Sequence, residues 1–313
     1  MLFVVLTACL KEDYNDCGVT VEFMYNHNIL STNVFENYVD QVNLYVFSDD
    51  GIMVQQHTNG SIPLTNNFKM RLDYLDYSNY HFAAWAQSTH IANNQSFFTI
   101  PNLTVGVSSI DELIYTLKRN SGIQQHELNN LLVGTTEAVV FNDKTYLPVT
   151  VNLMKVTNKI RVEILSHISG DTIDVANYNF FIIDEAGNGR INYDYIVLPD
   201  EKTTYLPHYA TNLLLPDKTN NAAVVEMSTS RLMVVNTPRL KMIDNNEGKE
   251  IVSMNLPYIF SLTNMENNTQ WSLQEYLDRQ DRYTITLYFH NNKWISSTII
   301  INGWAINNNE LEY

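Results

Sequence analysis

Apolar and polar residues alternate with a period of two along much of the chain, whereas helical periodicity is rare. The first such segment places Val19, Val21, Phe23 and Tyr25 on one face. A second carries Val42, Leu44 and Val46 and is followed by Asp50-Gly51, a pair typical of hairpin turns, and then by residues 52–57. A further alternating segment spans residues 79–86. Because strands bury alternate side chains, this pattern predicts an all-β protein built from sandwiches or barrels.

Two short helices are predicted to interrupt the strands. Ser109 with Glu112, and Ser272 with Glu275, have the spacing of a capping box, in which each side chain satisfies a free backbone N–H at the start of a helix. We expect each helix to be two to three turns long. The first would present one apolar stripe and pack on a sheet. The stripe consists of Ile110, Leu113, Ile114 and Leu117.

The length of 313 residues suits about two domains. Apolar residues occupy odd positions over 149–153 and even positions over 156–164. A one-residue slip turns a strand over, so this change of phase marks either a bulge or a passage between sheets. We predict a boundary near Met154, with domains at residues 18–154 and 155–313. They would be closely joined, because no linker rich in Pro, Gly or Ser separates them.

The first nine residues look like the end of a bacterial lipoprotein signal, in which a short apolar run and two small residues precede a cysteine. The run is too short to span a bilayer, which takes about 20 apolar residues. We therefore expect residues 1–8 to be a signal remnant, Cys9 to carry fatty acyl chains such as palmitate, and residues 9–17 to be a lipidated tether. Lys11, Glu12 and Asp13 resemble a signal that sends lipoproteins to the outer face of the outer membrane.

The charge balance excludes some partners. Nineteen Lys and Arg stand against 34 Asp and Glu, giving a formal net charge of −15. Anionic head groups and nucleic acid repel such a body, so the lipid would hold the protein at the membrane alone. Once Cys9 is acylated only Cys17 remains, either as a free thiol or as a partner in an intermolecular disulfide.

The sequence contains no His-Glu-x-x-His, no Gly-x-Ser-x-Gly, no Walker loop and no Cys-x-x-Cys motif. The eight histidines are scattered without metal-ligand spacing, so neither a metal nor another cofactor is predicted. Residues 184–189 resemble a calcium loop superficially, but they lack its alternating ligands and are interpreted as a turn between strands. These observations favour a protein that is not an enzyme.

Three acids near the second helix could be imagined as a pair of glycosidase carboxylates with a neighbour. They are Glu275, Asp278 and Asp281, and Arg279 and Arg282 are interleaved with them. Opposite charges alternating along a capped helix are more typical of a solvated face. We predict that face and no acid–base chemistry.

Several segments, taken in order, resemble the fimbrillin-associated anchor lipoproteins. They are residues 9–13, 16–17, 42–47, 50–51, 80–85, 231–233, 275–281, 283–289 and 301–304. The resemblance covers nearly the whole chain and implies two tandem transthyretin-like β-sandwiches. It also implies an anchor in the outer membrane at the base of a fimbrium, which helps to end growth and set length. The implied partners are the major stalk subunit, other accessory fimbrial subunits and the membrane.

Stalk subunits of this type are joined by strand complementation, after a protease that cuts at Arg or Lys removes their first strand. Residues 12–68 of the present chain contain neither Lys nor Arg. We therefore predict that residues 19–25 stay in place, keep the groove closed and remain continuous with Cys9.

Two alternatives stay open at this point. The segment Ile299-Ile300-Ile301 has high β-propensity and is interpreted as a buried strand, with a donor or edge strand as the alternative. Glycan binding is the alternative function, because exposed aromatic rings can stack on sugars. The candidate rings are Trp85, Trp271, Trp294 and Trp304, together with some of the 19 tyrosines.

Overall fold

A computed structural model describes residues 19–60, 64–73, 75–76, 78–88, 96–140, 149–166, 172–214, 221–264, 270–290 and 293–307. The predicted lipidation site Cys9, the predicted export signal at Lys11, Glu12 and Asp13, and Cys17 lie outside these residues. Within them, no helix has both the length and the apolar character needed to cross a membrane.

The described residues form mainly strands. In the first half these are β1 Val19–His27, β2 Gln41–Ser48, β3 Met53–Gly60, β4 Lys69–Leu72, β5 Asn79–Gln87, β6 Phe98–Thr99, β7 Ile114–Leu117, β8 Ile123–Gln124, β9 Leu131–Thr135, β10 Val139–Val140 and β11 Val149–Lys155. The second half contains β12 Thr157–Ser166, β13 Tyr178–Asp184, β14 Arg190–Asn192, β15 Thr203–Tyr205, β16 Tyr209–Leu214, β17 Asn221–Ser230, β18 Arg239–Asp244, β19 Lys249–Asn255, helix α1 Leu256–Leu262, helix α2 Leu273–Arg279, β20 Arg282–His290, β21 Lys293–Ile301 and β22 Trp304–Asn307.

An eight-stranded sheet dominates the first half, in the order β3-β2-β5-β9-β11-β1-β4, with β10 added beside β5. One apolar cluster gathers alternate side chains from these strands, including Phe23, Leu44, Phe82 and Val151. The residues in between, such as Tyr45 and Trp85, belong to a second cluster on the opposite face. The centre of the sheet, at β2, β5 and β9, is therefore covered on both sides, and the side chains of these strands are divided between two cores.

The predicted hairpin between β2 and β3 is confirmed. The two strands pair antiparallel, and Gly51 adopts a φ of +80°, a left-handed conformation that glycine accepts without steric cost. The Gly51 N–H donates to the carbonyl of Ser48 at 2.9 Å.

The second half contains a six-stranded sheet, β16-β17-β12-β20-β21-β22, and a five-stranded sheet, β19-β18-β13-β15-β8. Their facing side chains belong to the second cluster, which includes Ile160, Val225, Phe180 and Phe289. A three-stranded sheet, β14-β7-β6, completes the fold. The prediction of an all-β protein with short capped helices is confirmed, whereas its division into two tandem transthyretin-like sandwiches stays a prediction.

The change of phase near residue 154 coincides with a change of sheet. Strand β11 belongs to the eight-stranded sheet and β12, which follows after Val156, belongs to the six-stranded sheet. Two strand pairs link the regions on either side of this point, β7 with β14 and β8 with β15. The domain boundary at residue 154 therefore stays a prediction.

The prediction of a helix of two to three turns after Ser109 is wrong. The capping box forms, with the Ser109 N–H donating to Glu112 at 2.9 Å, but it caps only a single 3-10 turn, Ile110–Glu112. Residues 114–117 form strand β7 instead, where β-branched and aromatic side chains are favourable and Tyr115 is fully buried. Of the predicted apolar stripe, Leu113 and Leu117 are buried, whereas Ile110 is only partly buried and Ile114 lies on the opposite face of β7 from Leu117.

The second predicted helix is α2, of seven residues or about two turns. The Ser272 hydroxyl accepts a bond from the Glu275 N–H at 3.1 Å, as its capping spacing predicted. Helix α1 was not predicted. Its signals are Asn255, whose side chain accepts from the Tyr258 N–H at 3.2 Å, and Pro257 in the first turn.

Candidate functional site

The first strand lies inside the eight-stranded sheet. Strand β1 pairs parallel with β11 and antiparallel with β4, so it has a main-chain neighbour on each side. Val21, Phe23 and Tyr25 are almost completely buried in the cluster beneath it, as the alternation predicted. The strand therefore fills a position that would otherwise be an open groove.

Aromatic packing holds the middle of β1. The Phe23 ring stacks on Phe68 with 5.8 Å between centroids and on Phe35 with 6.4 Å. Tyr25 meets Tyr38 edge to face at 5.2 Å. Each fully buried side chain of this size contributes about 1.5–3 kcal/mol of apolar burial, so removal of the whole strand would expose a large apolar surface.

The outer face of β1 is polar and is also held in place. Glu22 accepts a bond from the Thr150 hydroxyl at 2.9 Å and pairs with Lys69 at 3.0 Å. Hydrogen bonds from Lys69 and then from Thr150 lower the pKa of Glu22 below its usual value. Side chains of both neighbouring strands therefore contact β1, as well as their main chains.

The end of β1 leads into a tight turn that touches α2. The buried side-chain amide of Asn28 donates to the carbonyls of Tyr25 and Thr32, each at 2.7 Å. The Arg279 guanidinium donates to the Asn28 carbonyl at 3.4 Å. Arg279 also pairs with Glu275 at 2.9 Å, so these contacts link the first strand with the C-terminal half.

The strongest link within the C-terminal half is a buried bidentate ion pair. Arg231 donates to both carboxylate oxygens of Asp278 at 2.7 Å, and the two side chains are only 12% and 6% exposed. The Gln274 amide donates to the same carboxylate at 3.0 Å, and Arg231 donates also to the Tyr195 carbonyl. The pair joins α2 to the segment that follows β17.

A second ion pair joins the two halves of the chain. Lys155, at the end of β11, pairs with Asp281, and its side chain is 1% exposed. Burial lowers the pKa of Lys155 to about 8, although the carboxylate of Asp281 acts to raise it. The ammonium group also lies 5.1 Å from the centre of the Tyr38 ring. Pairing with Asp281 offsets the desolvation of the ammonium group and explains why Lys155 can occupy the interior.

The predicted solvated acidic face on α2 is therefore wrong. Asp278 and Asp281 are withdrawn from water by Arg231 and Lys155, which come from elsewhere in the chain, and only Glu275 pairs within the helix. Arg231 lies in a segment that contributed to the family resemblance, but no local pattern in the sequence links it to Asp278.

The loop at residues 184–189 connects β13 with β14 and is held by protein groups. The Asn188 amide donates to the Arg231 carbonyl at 2.8 Å, and the Gly189 N–H donates to Asp200 at 3.0 Å. Arg119 forms a bidentate ion pair with Asp200 and so ties the first half to this loop. Among the described residues, no group of three or more His, Cys, Asp or Glu is arranged for a metal ion.

The isoleucine run and the two described candidate tryptophans are buried or partly buried. Ile299 and Ile301 are fully buried in β21, which pairs with β20 and β22, so the core interpretation of this run is confirmed. Trp85 is 5% exposed and packs edge to face against a buried tyrosine. Trp271 lies under the guanidinium of Arg279 at 4.7 Å. The side chains of Trp294 and Trp304 lie outside the described part of the chain.

A family model matches nearly the whole chain. A sequence model of the fimbrillin-A associated anchor proteins Mfa1 and Mfa2 matches residues 13–310. A solved structure from Bacteroides thetaiotaomicron, provisionally assigned to polysaccharide binding, is 30% identical, with 93% of this chain and 98% of that chain covered and a TM-score of 0.80.

Two further structures are similar. A provisionally assigned adhesin from the same organism is 27% identical over 93% of this chain and 97% of its own, with a TM-score of 0.79. The fimbrial anchor protein Mfa2 from Porphyromonas gingivalis is 18% identical over 93% of this chain and 98% of its own, with a TM-score of 0.67, and shares the fold. No curated protein sequence matches the chain.

Proposed function

The chain belongs to the family of fimbrillin-A associated anchor proteins, and on this premise we propose that it anchors a fimbrium to the outer membrane and helps to end its assembly. Membership of this family makes it a fimbrial accessory protein of the cell surface. Its role would be structural, with no catalytic step. The observation that carries the proposal is the enclosed position of β1 between β11 and β4.

At the membrane end, Cys9 would carry the lipid, and Lys11, Glu12 and Asp13 would direct the protein to the outer face of the outer membrane. Two or three acyl chains anchor a protein effectively irreversibly, since each buried methylene contributes about 0.8 kcal/mol. The short tether then enters the fold at Val19.

Retention of β1 would serve both anchoring and termination. If β1 stays in place, the groove it fills is not available to a donor strand, and growth ends at this subunit. It also keeps the folded body joined to Cys9 through unbroken chain, so a pull on the fimbrium would reach the lipid. The absence of Lys and Arg from residues 12–68 supports this, because a protease specific for these residues has no site there.

Limited proteolysis of the folded protein tests the retained strand. With an Arg- or Lys-specific protease, we expect residues 19–27 to stay on the core, with any cleavage at Lys11 in the tether, or at Lys69 or beyond. Leu30→Arg is the matched variant, because Leu30 is 68% exposed in the loop after β1 and the change adds a site there. Only the variant should be cut between Lys11 and Lys69. An intact wild-type core that lacks residues 19–25 would contradict the proposal.

Anchoring itself is tested on cells. Deletion of the gene, or Cys9→Ala, should release fimbriae into the medium or alter their length, while the amount of stalk subunit made stays unchanged. Electron microscopy of cells and medium measures both effects. Fimbriae that stay attached and keep their length after deletion would refute the anchor assignment.

Glycan binding is the second candidate function. It is favoured by the 30% identity to the structure assigned provisionally to polysaccharide binding. An open pocket of about 760 Å³, lined by side chains that include Phe97, Lys118, Gln124 and His126, offers a place for a sugar. A glycan array and a pull-down of fimbrial subunits, run on the same protein, separate the two functions.

A further inference from the structure

Strand β16 is an exposed edge of the six-stranded sheet. It pairs antiparallel with β17 on one side, and no described strand pairs with its other side. An edge strand turns alternate N–H and C=O groups toward this free side, where another strand can bind them. Its six residues, Tyr-Ala-Thr-Asn-Leu-Leu, extend over about 20 Å and include no charged residue and no proline.

Three edges of the eight- and five-stranded sheets are better protected. Strand β4 has only four residues and carries Lys69 and Arg71, and β19 begins with Lys249 and Glu250. Strand β3 is long but mainly polar, with no large apolar side chain exposed. Charge and shortness are among the devices that normally keep an edge from pairing with another chain. Strand β16 has neither.

Both faces of β16 present apolar groups. Tyr209 and Leu213, which lie on one face, are 48% and 41% exposed, and Leu214 on the other face is 62% exposed. Leu213 lies opposite Ala222, a buried residue of β17. A strand added beside β16 could cover these side chains on both faces while it completes the hydrogen bonds of the edge.

The edge is also held in an ordered conformation. The Asn212 amide donates to the Asp174 carboxylate at 2.9 Å, and its carbonyl oxygen accepts from the Val175 N–H at 2.8 Å. Opposite Tyr209, Glu226 is neutralised by Arg161 at 2.7 Å. The edge is therefore preorganised. Its own six residues are uncharged, and the nearby carboxylates of Asp174 and Glu226 are held by Asn212 and Arg161, so an uncharged partner segment suits it.

We propose that the free side of β16 binds an extended, uncharged segment of a fimbrial subunit by strand addition. The identification of the partner as a fimbrial subunit rests on the proposed function. A second copy of this chain suits the edge less well, because each copy carries a net charge of −15 and the two bodies repel. The added strand would contribute alternate apolar side chains beside Leu213 and Leu214, with main-chain bonds to the edge.

Photo-cross-linking on cells tests the contact directly. Tyr209 and Leu213 are each replaced by p-benzoylphenylalanine, and Gln56, an exposed residue of the edge strand β3, is replaced as the matched control. We expect light to join positions 209 and 213, but not position 56, to a fimbrial subunit identified by mass spectrometry. Products that contain only a second copy of this chain, or no product at either position, would overturn the proposal.

Lysine substitutions separate this proposal from the anchoring function. Ala210→Lys and Leu213→Lys place a charge on either face of the edge, and Gln56→Lys is the control. We expect the first two to shed fimbriae as Cys9→Ala does, while the control retains them. If Cys9→Ala sheds fimbriae but both edge variants retain them, anchoring stands and the β16 contact is wrong. If Cys9→Ala sheds none, anchoring fails and the cross-linking result alone decides the contact.

Discussion

Removal of the Asp278 carboxylate is expected to destabilise the protein by about 3–5 kcal/mol. The Arg231 guanidinium is 12% exposed and donates two bonds of 2.7 Å to this carboxylate. Asp278→Ala leaves that cation buried, with the Tyr195 carbonyl as its other acceptor among the described groups. A buried charge that loses its counter-ion regains neither hydration nor an equivalent partner, which is why the cost exceeds that of an ordinary hydrogen bond.

The measurement is urea unfolding followed by circular dichroism, with the free energy of unfolding obtained by linear extrapolation. The control is Glu250→Ala, because Glu250 and Lys241 also pair at 2.7 Å but their side chains are 42% and 31% exposed. Exposed pairs contribute about 0–1 kcal/mol, so the control should change little. The double variant Arg231→Met with Asp278→Leu should recover most of the loss, since it removes both charges. Equal effects of Asp278→Ala and Glu250→Ala would refute the reasoning.

Two further changes test the structure. Burial raises the pKa of Asp184 to about 6, so between about pH 4 and 6 the folded protein binds a proton that the unfolded chain has released. This contribution of about 1–3 kcal/mol is present at low pH and is lost as the pH rises through 6. Asp184→Asn should make the urea midpoint depend less on pH than it does in the wild-type protein. The same pH dependence in both proteins would contradict this. A Cβ at Gly134 would lie 2.5 Å from the Asn152 carbonyl oxygen, whereas one at Gly106 meets nothing within 4 Å. In thermal unfolding, Gly134→Ala should lose more stability than Gly106→Ala. The Gly106 change costs about 1 kcal/mol, because only its left-handed φ of +78° opposes a side chain. A larger loss for Gly106→Ala would refute the close packing at Gly134.

Local pattern predicted the strands well. The alternation in β1 and β2 matches their buried faces, and Asp50-Gly51 forms the expected turn. The same reasoning failed at residues 114–117, because apolar residues three and four positions apart also arise from a turn followed by a strand. Local spacing could not distinguish the two, and the pairing of β7 with β14 decided it.

Local pattern also failed for the acids in and directly after α2. Their spacing with Arg279 and Arg282 indicated a solvated face, but the cations that pair with Asp278 and Asp281 lie 47 and 126 residues away in sequence. No short window of the sequence contains both members of either pair. The free edge at β16 was missed for the same reason, since a strand is an edge only because of which strands lie beside it.

Local pattern in the sequence predicts that residues 19–25 and 42–46 are strands, that alternate side chains of the first are buried, and that no site for an Arg- or Lys-specific protease lies between residue 11 and residue 69. These properties depend on residues that are neighbours in the chain. Contacts in the folded protein establish that β1 lies between β11 and β4, that Arg231 and Lys155 withdraw two carboxylates from water, and that β16 has one side without a described strand. Each of these depends on long-range pairing, because burial and strand neighbours are set by segments that meet only in the folded protein.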